Sequence, residues 1–418
     1  LLTGQYPHNH GILGNEPPEG GYAVFKPQEN NTLATWLDSA GYHTVHLGKY
    51  LNGYSGSRGK ISPQTPMGGS SFNTDIPAGW DNWIATYSPT YIDFMINDNG
   101  TLKQATSSEY HTDYICKEAI KTINNTPNNQ PFALFVNFIA PHNFILNEEN
   151  YNDTEILDSA FPIPAARHRG LLATTSAYRP PNWNEANISD KPLKNRLGLM
   201  NADKIASTDK RYIARLESLL AVDECSGAII SALKNRNKID NTYVIYTSDN
   251  GYLQGEHRVT NLKDLVYEES VHVPLVVRGP NIPKGQILDQ LVVNVDLAAT
   301  ILDMASATSS RLLDGASLIP LMSNPTIQWR SDFLLENPGK YDYQAVRSKD
   351  YKYVEYDTNN DGITDEKELY NYIVDSCSST ADPYELVNKA SKPCYSSLIS
   401  TLSARLSTLK SCQGTACW

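Results

Sequence analysis

Three short stretches put groups able to handle an oxyanion at the ends of apolar runs: Gly48-Lys49, Pro141-His142 and Ser248-Asp249-Asn250-Gly251. Asp249 and Asn250 offer a carboxylate and an amide oxygen side by side, with Gly251 letting the backbone turn, and oxygen ligands of this type suit Ca²⁺ or Mg²⁺. His257 and Lys263 follow in the same loop. Two lysines and a histidine around a hard cation describe a site for an oxyanion, because the cations neutralise its charge while the imidazole moves a proton. Singly these features are weak: an Asp-Asn-Gly turn is most often only a turn, and a lysine after a strand is usually a solvated end. Their joint placement at the ends of separate strands points to function, since ligand crevices of open α/β sheets lie beyond the carboxyl ends of the strands.

The elements that must position these groups are legible from periodicity. Thr32 can cap a short helix in which Leu33, Trp36, Leu37 and Ala40 recur at helical spacing, and Gly41 supplies its stop. A strand over Tyr42–Leu47 follows. The segment from Asn52 to Ala78 is dense in Gly, Ser and Pro and reads as a long surface excursion. Phe132–Ile139 is a nearly continuous apolar run ending at Pro141, the pattern of a strand buried on both faces. Between Asn143 and Ala206 periodicity dissolves, and Pro162, Pro164, Pro180 and Pro181 break any helix. From Tyr212 to Asn235 a stripe of Ile213, Leu216, Leu220, Cys225, Ile229 and Leu233 predicts a helix, followed by strands over Tyr243–Thr247 and Val273–Val277. Asp296 can cap a helix carrying Leu297, Ile301 and Leu302. This alternation predicts an α/β domain around a mainly parallel sheet, over residues 1–325. After Pro325 short alternating runs such as Tyr351–Tyr356 predict a smaller α+β subdomain over residues 326–418.

Composition excludes several classes. Of the 418 residues, 35 are Lys or Arg and 46 Asp or Glu, a net charge of −11 that argues against broad association with nucleic acid or anionic membrane. No run of about 20 apolar residues is present to span a bilayer. Tyrosine is abundant, 25 against 9 Phe, a balance that suits a sugar-binding surface. Of the six Cys, four cluster at the carboxy-terminal end, where Cys412–Cys417 and Cys377–Cys394 are the natural pairs if the protein is exported. Cys225, on the apolar stripe of its helix, is expected as a buried free thiol. Sequons begin at Asn30, Asn99, Asn124, Asn152 and Asn187, which together with the cysteines favours an exported glycoprotein: secreted, lysosomal or periplasmic.

At this point the residues resemble a family. Leu2-Thr3-Gly4-Gln5-Tyr6-Pro7-His8, Gly41-Tyr42-His43-Thr44-Val45-His46-Leu47-Gly48-Lys49-Tyr50-Leu51 and Tyr246-Thr247-Ser248-Asp249-Asn250-Gly251-Tyr252 are similar to the type I sulfatases. The similarity continues through Val273-Pro274-Leu275 and Asp314-Gly315-Ala316-Ser317-Leu318. Gly48-Lys49-Tyr50-Leu51-Asn52 and Pro181-Asn182-Trp183-Asn184-Glu185 are most similar to the N-acetylglucosamine-6-sulfatase and fungal arylsulfatase branch. The resemblance implies an alkaline-phosphatase-like fold and hydrolysis of a sulfate monoester of a sulfated sugar or aryl alcohol. In that family the nucleophile is a formylglycine hydrate made from Cys or Ser in a C/S-x-P-S-R motif, and calcium holds nucleophile and sulfate. Carried over, Asp249 and Asn250 bind the metal, Lys49 holds the formylglycine oxygen and sulfate, and His142 and Lys263 contact sulfate and assist the leaving oxygen. His257 matches a frequent family position near the site, with its role open.

Set against that pattern, the nucleophile motif and the first strand are expected before Leu1, so the sequence is expected to be incomplete and inactive as it stands. Gln5 replaces a usual basic residue, and Leu51 a frequent His. Two alternatives remain: a catalytically silent glycan-binding protein of the sulfatase fold, and a phosphate-ester hydrolase of the wider superfamily. Outside the site, the stretch from Asp357 to Glu368 places oxygen side chains at positions one, three, five, nine and twelve with Gly362 at six, the spacing of an EF-hand calcium loop. The preceding Tyr351–Tyr356 alternates like a strand, so a solvated acidic turn is the plain alternative.

Overall fold

The computed structural model describes residues 1–55, 73–87, 90–106, 108–143, 161–192, 197–338, 342–357, 362 and 364–418. Most of the Gly-rich excursion, the sequon at Asn152 and the middle of the calcium-loop pattern therefore lie outside the described residues. Two compact units interleave along the sequence: one comprises Asn15–Ala177 with Ala202–Tyr243, the other Leu1–Gly14, Tyr178–Asn201 and Val244–Trp418. Residues 326–418 fall wholly within the second.

The Asn15–Ala177 unit is built on a mixed sheet of order β4-β3-β2-β1-β5, from β1 His43–Lys49, β2 Asn82–Thr86, β3 Met95–Asp98, β4 Thr101–Gln104 and β5 Phe132–Asn137. Strands β2, β1 and β5 are parallel; β3 and β4 add an antiparallel edge. The period of two along β1 explains its packing. Val45 and Leu47 meet Ile115 and Ala119 of helix α2 (His111–Asn125), whereas His46 lies stacked on Trp83 at 4.4 Å. Burial among these rings pushes the His46 imidazole down to about 3. Helix α1 (Leu33–Ser39) is started as the sequence implies, with the Thr32 N–H donating to Thr35 Oγ1 at 3.0 Å. Strand β5 departs from expectation. It is only half-buried, because among the described residues it forms the sheet edge, paired with β1 alone.

Helix α3 runs over Ala202–Asn235, longer than the stripe beginning at Tyr212. Its first turns carry Lys204, Asp209 and Lys210, which obscure the period. Cys225 is buried as expected, but it is not a free thiol. It pairs with Cys116 of α2, Cα atoms 5.5 Å apart. Residue 116 sits one position from Ile115 and faces α3, a juxtaposition set by helix packing and invisible in local spacing.

In the other unit β6 (Val244–Thr247) and β7 (Leu275–Arg278) pair antiparallel, so among the described residues the parallel arrangement read from the alternation holds for β2, β1 and β5 alone. Helix α4 spans Asp296–Ala305. Asp296 does not cap it: its buried carboxylate accepts Val293 N at 2.8 Å and Ala316 N at 2.8 Å and pairs with Arg330. The carboxy-terminal subdomain is an antiparallel sheet of order β11-β10-β9-β8, from β8 Asp332–Asn337, β9 Tyr343–Ser348, β10 Tyr351–Tyr356 and β11 Glu366–Asn371. Alternation along β10 decides both faces. Tyr353 packs with Leu406 and Leu409 of helix α5 (Ser396–Leu409), while Val354 and Tyr356 pack on Leu253, Val259 and Tyr267 of the loop after β6. The expected tail disulfides, Cys377–Cys394 and Cys412–Cys417, are both formed.

The calcium-loop spacing does not become an EF-hand. The element before it is strand β10, and position twelve, Glu368, is a buried residue of β11. Its carboxylate accepts hydrogen bonds from Tyr356 at 2.6 Å, Tyr370 at 2.8 Å and Tyr267 at 3.1 Å. A side chain held by three phenols inside the core cannot turn out as a bidentate cation ligand.

Candidate functional site

Lys49 and His142 belong to the Asn15–Ala177 unit. Gly48 lies opposite Asn137 in the parallel β1–β5 ladder, so both groups leave the carboxyl ends of neighbouring strands. The Lys49 ammonium donates to Asn52 Oδ1 at 2.9 Å. The backbone of His142 is fixed by its N–H to the Ile139 carbonyl at 2.7 Å and by the Tyr91 hydroxyl donating to its own carbonyl at 2.7 Å. Its Nδ1 faces the Asn143 carbonyl at 2.8 Å. That contact requires a proton on Nδ1, which leaves Nε2 as the basic nitrogen.

Asp249, Asn250, His257 and Lys263 belong to the other unit, in the loop that follows β6. The turn is tight: Asp249 Oδ1 accepts the Asn250 N–H at 2.9 Å, and the Asn250 amide donates to the Gly251 carbonyl at 2.8 Å. A Cβ on Gly251 would stand 2.1 Å from the Glu269 carbonyl, so only glycine admits this approach. Beyond it, Gly251 N donates to Ser270 O at 2.8 Å and Leu253 bridges Leu262, which places Lys263 at the returning limb. Asp249 Oδ2 and Asn250 Oδ1 accept no hydrogen bond among the described residues. Two adjacent oxygens left over at an exposed strand end are a donor set that fits a hard divalent cation.

His257 has a different environment. It is buried, with Nδ1 2.7 Å from Glu185 Oε2, Nε2 3.2 Å from Asn182 Nδ2, and its ring 4.1 Å from that of Tyr267. Burial, then the nearby Lys191, lowers the imidazole to about 3, so it is neutral. Burial raises the Glu185 carboxyl to about 7 against the pull of Lys191. With Glu269 and Glu385, His257 forms a triad whose ligand atoms lie within 4.8 Å of one another and could hold a metal ion. The protein's own groups already serve it: Asn182 Nδ2 donates to Glu269 Oε1 at 2.8 Å, and Glu385 takes the Tyr372 hydroxyl at 2.6 Å and the buried Lys352. Although burial pushes Glu268 up, Lys352 and Arg347 hold it at about 2. Sequence reasoning missed this network. Its members are scattered from 182 to 385, and the only local signal, Pro181-Asn182-Trp183-Asn184-Glu185, served there as a family marker.

Comparison with known proteins gives a consistent result. The family model described as Sulfatase matches residues 1–307, and that described as N-sulphoglucosamine sulphohydrolase, C-terminal, matches residues 255–412. A Caenorhabditis elegans homologue of extracellular sulfatase Sulf-1 is 31% identical over 366 residues, covering 84% of this chain; the chain spans 47% of that protein's length. The goat (Capra hircus) N-acetylglucosamine-6-sulfatase is 29% identical, covering 100% of this chain and 75% of the goat protein. A solved structure of a protein in complex with its substrate D-glucosamine-2-N,6-O-disulfate shares the fold, with a TM-score of 0.70 at 23% identity, covering 97% of this chain and 85% of that one.

Proposed function

The chain belongs to the sulfatase family, and we propose that the protein hydrolyses a sulfate monoester of a sulfated sugar or aryl alcohol. The observation that carries this reading is the Ser248-Asp249-Asn250-Gly251 turn, with two oxygens that accept no hydrogen bond among the described residues, at the carboxyl end of a strand inside the matched region. In this reading Asp249 and Asn250 hold Ca²⁺, with Mg²⁺ as the other candidate. When bound, the cation would draw charge from the sulfate oxygens, and a formylglycine hydrate would supply the attacking hydroxyl. Lys49 and Lys263 place fixed positive charge where negative charge accumulates on the sulfate group. His142, its Nδ1 proton committed to the Asn143 carbonyl, carries a second proton on Nε2 to the ester oxygen as the S–O bond breaks. Three disulfides and exposed sequon asparagines at Asn30, Asn99, Asn124 and Asn187 support an exported, glycosylated protein.

The test separates sulfate contact from metal binding. In the full-length protein, Lys263→Ala should lower turnover of an aryl sulfate at least a hundredfold, on the scale of losing one charge-stabilising donor, while bound calcium stays unchanged. Turnover equal to wild type, or loss of the metal with the lysine, contradicts the assigned role.

A further inference from the structure

Both limbs of the loop that carries Asp249, Asn250 and Lys263 are tied to one buried residue, Ser270. Its carbonyl accepts the Gly251 N–H at 2.8 Å, directly after the two proposed cation ligands, and the Glu269 carbonyl beside it accepts the Tyr252 N–H at 2.6 Å. Its hydroxyl donates to the carbonyl of Lys263 on the returning limb. Between these ties the limbs are joined to each other, Leu253 N donating to Leu262 O at 2.9 Å. A serine in a helix often turns its hydroxyl back on the carbonyl one turn earlier. Ser270 instead reaches a carbonyl seven residues back, outside its own short helix (Glu268–Val271).

The seat of Ser270 is fixed from several sides. Glu268 N donates to Glu385 Oε2 at 3.0 Å, the Glu268 carboxylate takes Arg347 Nε at 2.9 Å and Lys352 Nζ at 3.3 Å, and Glu269 Oε1 takes Asn182 Nδ2 at 2.8 Å. The buried network around His257 thereby anchors the helix from which Ser270 points. Lys263 is held differently. Among the described residues its ammonium meets no acceptor, so its direction depends on how its backbone is fixed. We infer that Ser270 is a positioning residue: its carbonyl holds the limb of Asp249 and Asn250, its hydroxyl holds the limb of Lys263, and it so sets the spacing between cation and sulfate-contacting lysine. This rests on the sulfatase reading above, in which Lys263 places charge on the sulfate. A group displaced by about 1 Å from its productive place loses up to about a hundredfold in rate.

A double-mutant cycle in the full-length protein tests the inference, with kcat/KM for a small aryl sulfate and calcium content measured on wild type, Ser270→Ala, Lys263→Ala and the double variant. Ser270→Ala should lower kcat/KM about tenfold, short of the loss expected for Lys263→Ala, with calcium content as in wild type. In the Lys263→Ala background the same change should cost less than about twofold, because no ammonium is left to place. A purely structural role would multiply the two losses. Ser270→Cys, close in volume and a weaker donor, carries the cycle if the alanine variant does not fold. Wild-type turnover without the hydroxyl, losses that multiply, or calcium lost with the hydroxyl would overturn the inference and leave the sulfatase reading standing. A wild type that leaves the aryl sulfate uncleaved, or a Lys263→Ala protein as active as wild type, would remove the reading of Lys263 itself and the inference with it.

Discussion

The Cys116–Cys225 bridge joins α2 to α3 across 109 residues of chain, and its removal has a size that can be worked out. Closing a loop of that length takes about 16 cal/mol/K from the unfolded chain, which at 25 °C amounts to ~4.8 kcal/mol of stabilisation. Structure retained in the unfolded state reduces such figures, so Cys116→Ala/Cys225→Ala should lose about 2–5 kcal/mol. Urea unfolding followed by tryptophan fluorescence is the assay, since Trp80 and Trp83 lie in the same unit. The double variant should unfold at lower urea, and wild-type protein denatured without reductant should show no reactive thiol. A double variant within about 0.5 kcal/mol of wild type, or two thiols titrating in the wild type, would refute the pairing and restore Cys225 as a buried free cysteine.

Gly48, at φ +106, would carry a Cβ 2.0 Å from the Asn137 carbonyl on the neighbouring strand, so Gly48→Ala should cost about 3 kcal/mol or more; an unchanged urea midpoint would show that the β1–β5 ladder yields there. The His257–Glu185 pair sets a pH profile. In the fold His257 stays neutral down to about 3 and Glu185 keeps its proton up to about 7, while the unfolded values are 6.5 and 4.5. Between about pH 4.5 and 6.5 each state then holds one proton on the pair, so stability is flat with respect to it. Below about 4.5 the unfolded chain holds two and the fold one, so about 2 kcal/mol is lost as pH falls towards 3. His257→Gln leaves Glu185 alone with its raised value, so the plateau should tilt, stability falling as pH rises from about 4.5 to 7. Identical urea-midpoint profiles for the two proteins would show that the pair does not titrate this way.

How far the sequence leads depends on the range of the interaction involved. Lys49 and His142 were legible as strand-end groups because the apolar runs preceding them end at those residues, a local signal that the parallel β1–β5 register preserves. The tail disulfides were legible because each pair is close in sequence. Cys116 was not, since its partner is chosen by how α2 packs on α3. The antiparallel pairing of β6 with β7 was likewise hidden, because helix–strand alternation carries no information on strand direction once a long loop intervenes. Glu368 matched a calcium-loop position by spacing alone, and three tyrosines distant from or alternating with it claimed its carboxylate instead. The His257 network was illegible for the same reason: a buried polar cluster is assembled from residues whose only relation is tertiary.

The central claim is that Asp249 and Asn250 hold the cation on which sulfate-ester hydrolysis depends. The most direct measurement is calcium content together with aryl sulfate turnover for full-length wild type and Asp249→Ala, with the urea midpoint as the control for folding. Asp249 is exposed and its Oδ2 accepts no hydrogen bond among the described residues, so the variant should fold with an unchanged midpoint, lose calcium and lose turnover together. A folded Asp249→Ala protein that binds calcium and cleaves the sulfate ester at the wild-type rate would contradict the account.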